Sequence, residues 1–280
     1  MTLGAGSKAL RNSIMKTSCS LGIVALLIAL SCCGCGSSTP PSLTGNWLLT
    51  AKVPNPRVLD ANGNPTYTTA DSWAYLSQEG TSVSGTVVSN FFCAPEVPAT
   101  FSFAGQFQNN RLSIFPLSAF LNLAGSFTLQ ATVSSDLATI QSGTISGAWE
   151  CNPYALLAVT GQQVPSVAGR WAGTLTSVSG PSATIFATLY ESGPDSTGFP
   201  GIAGDMIFSN SPCFSSGTVA GNQIGTFMSA IVKTTNGTLE IPQFENSSTI
   251  QVAGDQLFVS YSVQGGTCNG DYAQGTLTRQ

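Results

Sequence analysis

Leu43-Thr44-Gly45-Asn46-Trp47 opens one half of the chain, and Val167-Ala168-Gly169-Arg170-Trp171 opens the other in the same form. The echo continues in order. Val83-Ser84-Gly85-Thr86-Val87, leading to Cys93, returns as Ile202-Ala203-Gly204-Asp205-Met206, leading to Cys213. Ala104-Gly105-Gln106 returns as Ala220-Gly221-Asn222, and Cys151-Asn152-Pro153-Tyr154-Ala155 as Cys268-Asn269-Gly270-Asp271-Tyr272-Ala273. One such pair could arise by chance. Four in register, with spacings that drift by only a few residues, mark an internal duplication. The chain therefore divides near Val164-Pro165-Ser166 into a first domain, residues 43–165, and a second, residues 166–280, each of ordinary domain size.

Each half reads as an antiparallel meander of short strands, so the fold class is all-β. Phe101, Phe103 and Phe107 alternate with Ser102 and Gln106. Ile185, Ala187 and Leu189 alternate with Phe186, Thr188 and Tyr190. Phe258-Val259-Ser260-Tyr261-Ser262-Val263 keeps the same two-residue rhythm. A pleated strand turns successive side chains to opposite faces, so each run has one core side and one outer side. Turn signals separate the runs at Asn62-Gly63, Glu79-Gly80, Asn109-Asn110, Asn236-Gly237 and Gly265-Gly266. Only 8% of residues are charged, which leaves nothing to dress long solvated helices, while a hydrophobic fraction of 42% is too high for disorder. Strands spaced by about ten residues fit a closed barrel or a sandwich.

The opening Gly45-Asn46-Trp47 and Gly169-Arg170-Trp171, each followed by a strand, a Gly turn and a stretch such as Ser84-Gly85-Thr86, resemble the first strands of lipocalins and avidins. That resemblance implies small up-and-down barrels, favoured here over sandwiches, with Trp47 and Trp171 packing their closed ends. The other reading of each Trp is a core residue of a β-sandwich. An immunoglobulin pattern fits poorly, because no Trp follows shortly after Cys93 or Cys213.

Four cysteines fall in the folding part: Cys93, Cys151, Cys213 and Cys268. An even count in an exported chain suggests disulfides. Of the three connectivities, equivalence of the two halves favours Cys93–Cys151 and Cys213–Cys268. Each would close a loop of over fifty residues, worth about 4 kcal/mol in the chain-entropy account.

Export is read from the start of the chain. Lys8, Arg11 and Lys16 precede the apolar run Leu21 to Leu30, and small residues and cysteines follow at Ser31-Cys32-Cys33-Gly34-Cys35-Gly36. This is the order of a signal peptide, residues 1–31, and the run is about half the roughly 20 residues that span a bilayer. Met15 is the more natural start than Met1, since it leaves a signal of ordinary length. Ala29-Leu30-Ser31-Cys32 resembles the lipobox of bacterial lipoproteins, with Leu30-Ser31-Cys32-Cys33 as the alternative frame. The resemblance implies acylation of Cys32, or of Cys33, and a lipid-anchored flexible tether over residues 32–42. The absence of Asp after either cysteine implies the outer membrane of the cell envelope. Plain secretion with cleavage near Cys35 is the other reading.

Charge narrows the partners. Beyond the signal, six basic residues face thirteen acidic ones, a net of −7, so no basic patch exists for nucleic acid or anionic lipid. No His occurs, which removes Ser-His-Asp and Cys-His catalysis, and no two of Cys93, Cys151, Cys213 and Cys268 sit in a CxxC spacing, so neither a zinc site nor a cofactor is expected. A carboxylate hydrolase would draw on Asp71, Glu79, Glu96, Glu150, Glu191, Asp205 and Asp271, which nothing orders into a pair. Asp60-Ala61-Asn62-Gly63-Asn64-Pro65-Thr66, with Asp71 beyond it, spaces oxygens as a calcium loop does. Pro65 stands where that loop needs Gly, so a polar hairpin is the better reading. Trp73, Tyr75, Phe91-Phe92, Ile114-Phe115-Pro116-Leu117 and Phe120-Leu121 are candidates for a pocket, a lid or a sticky face, or for plain core, with Pro116 unsuited to a central strand. The expectation is a non-enzymatic, lipid-anchored module that binds a small apolar ligand or a surface protein. The alternative is a structural or adhesive envelope protein without a ligand.

Overall fold

The computed structural model describes residues 41–89, 99–117, 128–146, 156–178, 182–241 and 250–280. Two closed antiparallel β-barrels of eight strand positions follow one another, with no helix among the described residues. Residues Ser42–Gln280 form one compact unit holding both.

Barrel 1 runs β1 (Gly45–Leu59), β2 (Pro65–Glu79), β3 (Ser82–Ser89), β4 (Ala99–Gln108), β5 (Arg111–Pro116), β6 (Thr128–Val133), β7 (Thr139–Ser146) and β8 (Leu156–Val164). It closes where β1 meets β8, with Trp47 opposite Gln163. Barrel 2 runs β9 (Gly169–Ser177), β10 (Ala183–Pro194), β11 (Pro200–Ser209), β12 (Ser216–Ile224), β13 (Phe227–Thr234), β14 (Gly237–Ile241), β15 (Ile250–Ala253), β16 (Gln256–Gln264) and β17 (Tyr272–Arg279). It closes where β17 meets β9, with Trp171 opposite Arg279. Short β14 and β15 share one position, since both pair with β13 and β16. The barrels thus match strand for strand.

The repeated glycines mark where neighbouring strands press closest. A Cβ at Gly105 would fall on the carbonyl oxygen of Ser113, and one at Gly221 on that of Ser229. Gly85 and Gly204 stand in the same relation to Tyr75 and Thr188. Sharp coiling of a small barrel requires such side-chain-free positions. Inward residues then fill each interior. Trp47, Leu76, Phe103, Leu112, Leu129 and Ile140 belong to one core, and Trp171, Leu175, Ile185, Val232, Leu239 and Leu277 to the other. Asn109 and Asn110 take left-handed backbone angles of 53° and 58°, as a tight two-residue hairpin needs. Pro116 is the last residue of β5, where its missing N–H costs no central ladder bond.

One end of each barrel is closed by the chain that enters it. Trp47 Nε1 donates to the Leu43 carbonyl at 2.9 Å, and Trp171 Nε1 to the Val167 carbonyl at 2.8 Å. Side chains at matching positions hold both arms. Leu43 N–H donates to Gln78 Oε1 at 3.0 Å, and Val167 N–H to Glu191 Oε1 at 2.8 Å. Gln163 Nε2 donates to the Thr44 carbonyl at 3.0 Å, whereas Arg279 donates to both the Ala168 and Ser166 carbonyls at 2.6 Å.

The barrels also bury surface against each other. Trp73 and Tyr75 point outward from β2, away from their own core, yet both are buried with Val88 against Phe199 and Ile224 of barrel 2. Phe227 meets the Trp73 ring edge-on, with centroids 4.8 Å apart. Gly198 and Gly225, both at positive φ, sit too close to Thr86 and Trp73 to carry a Cβ. A polar chain crosses the seam. Gly225 N–H donates to Asn46 Oδ1 at 3.0 Å, and buried Gln223 donates to the Gly225 and Pro165 carbonyls while accepting from Val167 N–H. Every buried polar group named there has a partner, as burial demands.

Candidate functional site

The open end of barrel 2 carries a pocket of about 500 Å³, lined among others by Leu175, Ser177, Phe214, Tyr261, Asn269 and Asp271. It lies between the β11–β12 and β16–β17 connections. The Cys213–Cys268 disulfide joins these two loops, with Cα atoms 6.0 Å apart, and both cysteines line the pocket.

Local turn chemistry holds the rim. Ser211 Oγ accepts from the Cys213 and Phe214 N–H groups at 3.2 Å each. Asn236 donates to the Cys213 carbonyl at 3.1 Å and to Thr267 Oγ1 at 2.7 Å, tying a third loop to both sides of the disulfide. Asn269 Oδ1 accepts from Gly265 N–H at 2.8 Å. A rim ordered before any ligand arrives loses little entropy on binding.

The pocket is half hydrocarbon and half polar. Ser177 Oγ donates to both Asp271 oxygens, at 2.8 and 3.0 Å. The buried Tyr261 phenol has its pKa pushed up to about 12, first by burial and then by the negative charge of Asp271. Tyr261 therefore stays a neutral group through the physiological range, beside the carboxyl group of Asp271. Such a site can grip a hydroxyl or a cationic amine while packing an apolar body against Leu175 and Phe214.

A second concavity of about 490 Å³ lies at the seam between the barrels, lined by Asn46, Tyr75, Gln163, Pro165, Glu191 and Pro200 among others. Burial raises the Tyr75 pKa, and the charge of Glu191 adds to it. Its principal groups are already engaged in holding the closed ends.

Among the described residues, the acids of the hydrolase pool lie apart from one another. Asp71 accepts from Thr50 Oγ1 at 2.7 Å on an exposed ladder position, Glu79 ends β2, and Asp205 faces outward. Glu191 and Asp271 lie by opposite ends of β9, roughly 25 Å of strand apart, far beyond a glycosidase pair. Asp60 closes the β1–β2 hairpin. Its Oδ1 accepts from Asn62 N–H at 2.8 Å and Asn64 N–H at 2.9 Å, and these bonds, Asn64 first, hold its carboxyl below the usual range. Asp71 lies down the ribbon opposite Thr50, away from that turn. No cluster of three metal-ligating side chains occurs among the described residues. Cys32, Cys33, Cys93, Cys151, Glu96, Glu150, Phe91, Phe92, Phe120 and Leu121 lie outside the described residues.

Sequence reading passed over Tyr261 and Ser177, and it held Asp271 only as one acid among seven. Tyr261 sits in an inward-facing run, where a phenol looks like any core aromatic. Ser177 gains meaning only because β17 brings Asp271 to it. No protein-family model, no curated protein and no solved structure matches the chain.

Proposed function

We propose that this is an exported envelope protein, anchored through acyl chains on Cys32 or Cys33, whose second barrel holds a small amphipathic molecule at its mouth. The single observation behind this reading is the disulfide-braced pocket. Its volume falls within the roughly 300–1,000 Å³ usual for small-molecule sites. Because the barrel interiors are filled by side chains, the ligand sits at the rim rather than deep inside. With Asp271 and Tyr261 in the lining, the ligand is one with a hydroxyl or amine head, not a pure hydrocarbon.

Native mass spectrometry of the exported protein tests this directly. An added mass that persists in the wild type and is lost in Asp271→Asn and Phe214→Ala, with the disulfide intact, supports the mouth site. A clean, unliganded mass that no extract of the host envelope can shift sinks it. An acyl-sized increment on the N-terminal peptide tests the anchor separately. The second reading, a rigid structural or adhesive spacer, is favoured by the filled interiors and by the buried seam between the barrels.

A further inference from the structure

The two barrels use one face differently. On barrel 1, outward Trp73, Thr86 and Val88 of β2 and β3 are covered by the closed-end turns of barrel 2. The matching positions on barrel 2 are Phe186, Asp205 and Ile207 of β10 and β11, since Trp73 pairs with Val88 as Phe186 pairs with Ile207. No described segment covers them. Phe186 is 49% exposed and Ile207 55%, and the patch continues to Tyr190 at 59% and Ile231 at 43%. Exposed apolar side chains gathered on one face, rather than scattered singly, mark an interaction surface.

A head-to-tail copy cannot cover this face as barrel 2 covers barrel 1. The docking end of barrel 2 presents Ile224 and Phe227 around its β12–β13 turn, whereas barrel 1 has Gln108 and Arg111 around the matching β4–β5 turn. The face does complement itself. Asp205 and Lys233 lie in one outward row on either side of Thr218, about 10 Å apart across β12. Neither makes an ion pair with another described residue. Over this face β12 carries small outward groups, Ser216, Thr218 and Ala220, with Asn222 and Ile224 farther on toward the closed end, while larger side chains flank it. On a convex barrel surface the crown approaches a partner most closely, so small residues at the crown and large ones beside it suit close contact.

We infer that the β10–β13 face of barrel 2 is a symmetric interface with a second copy of this chain. A two-fold axis along β12 lays β11 of each copy over β13 of the other. Asp205 then meets Lys233 of the other copy twice, and the apolar side chains pack around these pairs. Self-complementarity of this kind is what an isologous dimer requires. The interface stands apart from the mouth pocket and does not depend on it.

Sedimentation of the full exported chain in mild detergent tests the inference. The wild type sediments as a concentration-dependent dimer. Asp205→Lys weakens it by roughly tenfold or more, because each substitution places like charges opposite one another at two symmetric sites. Asp205→Lys combined with Lys233→Asp restores the dimer, an outcome that general stickiness would not produce. Ile207→Glu gives a folded monomer by circular dichroism. A wild type that stays monomeric up to its solubility limit overturns the proposal. So does a dimer indifferent to Asp205→Lys, or a monomer that binds neutral lipid vesicles through Phe186 and Ile207.

Discussion

The two barrels solve the same closure problem with different chemistry. Both seat a Trp on the carbonyl four residues before it, and both tie the entering arm from the last strand. Barrel 1 does so with neutral Gln163. Barrel 2 uses Arg279, which also stacks over the Trp171 ring at 4.3 Å and pairs with Asp255 at 3.2 Å. In barrel 1 the turn before β7 has Ala138 in the matching place, since Gln163 N–H donates to its carbonyl as Arg279 N–H donates to that of Asp255. The backbone geometry is therefore the shared element, and the charge rests on the two positions that differ, Arg279 for Gln163 and Asp255 for Ala138. The open ends differ as well. Tyr261 occupies in barrel 2 the inward position held by Ile145 in barrel 1, which gives barrel 2 a phenol beside Asp271 where barrel 1 has hydrocarbon.

Removing the shared element should hurt most. Trp47→Ala and Trp171→Ala each leave a large cavity at a closed end and should each cost about 3–5 kcal/mol in urea denaturation followed by circular dichroism. Trp171→Ala should cost the more of the two, because it also strips the ring from under Arg279, worth roughly 1 kcal/mol. Equal losses would mean that the stacked guanidinium adds nothing to barrel 2.

The open ends are told apart by base. An unfolded tyrosine gives up its proton near pH 10, and folded Tyr261 only near 12. Between those values the unfolded chain gains from ionisation and the folded chain does not. Stability is thus fully kept below pH 10 and falls as the pH rises toward 12, by roughly 2 kcal/mol. Tyr261→Phe should flatten most of that slope, leaving the smaller part that Tyr75 supplies in the same direction. An unchanged alkaline limb in the Phe variant would remove Tyr261 from the account.

Converting one closure into the other should have the mildest effect. Arg279→Gln keeps a donor for the arm but loses the stacking and a largely exposed ion pair, so about 1 kcal/mol is expected. The reverse change, Gln163→Arg, should give no gain, because Ala138 offers no counter-charge. If Gln163→Arg raised the melting temperature, the added charge would matter by itself rather than through Asp255.

Much of this was legible beforehand, and the parts that were not have a common cause. The glycine echoes Gly85/Gly204 and Gly105/Gly221 marked the duplication, and the structure supplies the reason they repeat, since a Cβ at any of the four would strike a neighbouring carbonyl. The alternation of Ile185, Ala187 and Leu189 with Phe186, Thr188 and Tyr190 separated two faces, of which the structure makes the first the inner one, and the even cysteine count with the repeat led to Cys213–Cys268. Trp73 and Tyr75 stood out as aromatics. That they lie on the outside of one barrel and under another could not be read, since the covering groups, Phe199, Ile224 and Phe227, come from more than 120 residues away.

The sequence by itself thus determined the duplication, the β class, the two-faced character of a few strands and one cystine. These follow from the two-residue period of a pleated strand, from turn chemistry and from chemical parity, all local in the chain. The tertiary structure alone decided which outward aromatics are buried and which remain exposed, and that Ser177, Tyr261 and Asp271 share a mouth. Those outcomes depend on how the ring closes and how the barrels dock, through contacts between residues far apart in sequence, and no local pattern encodes them.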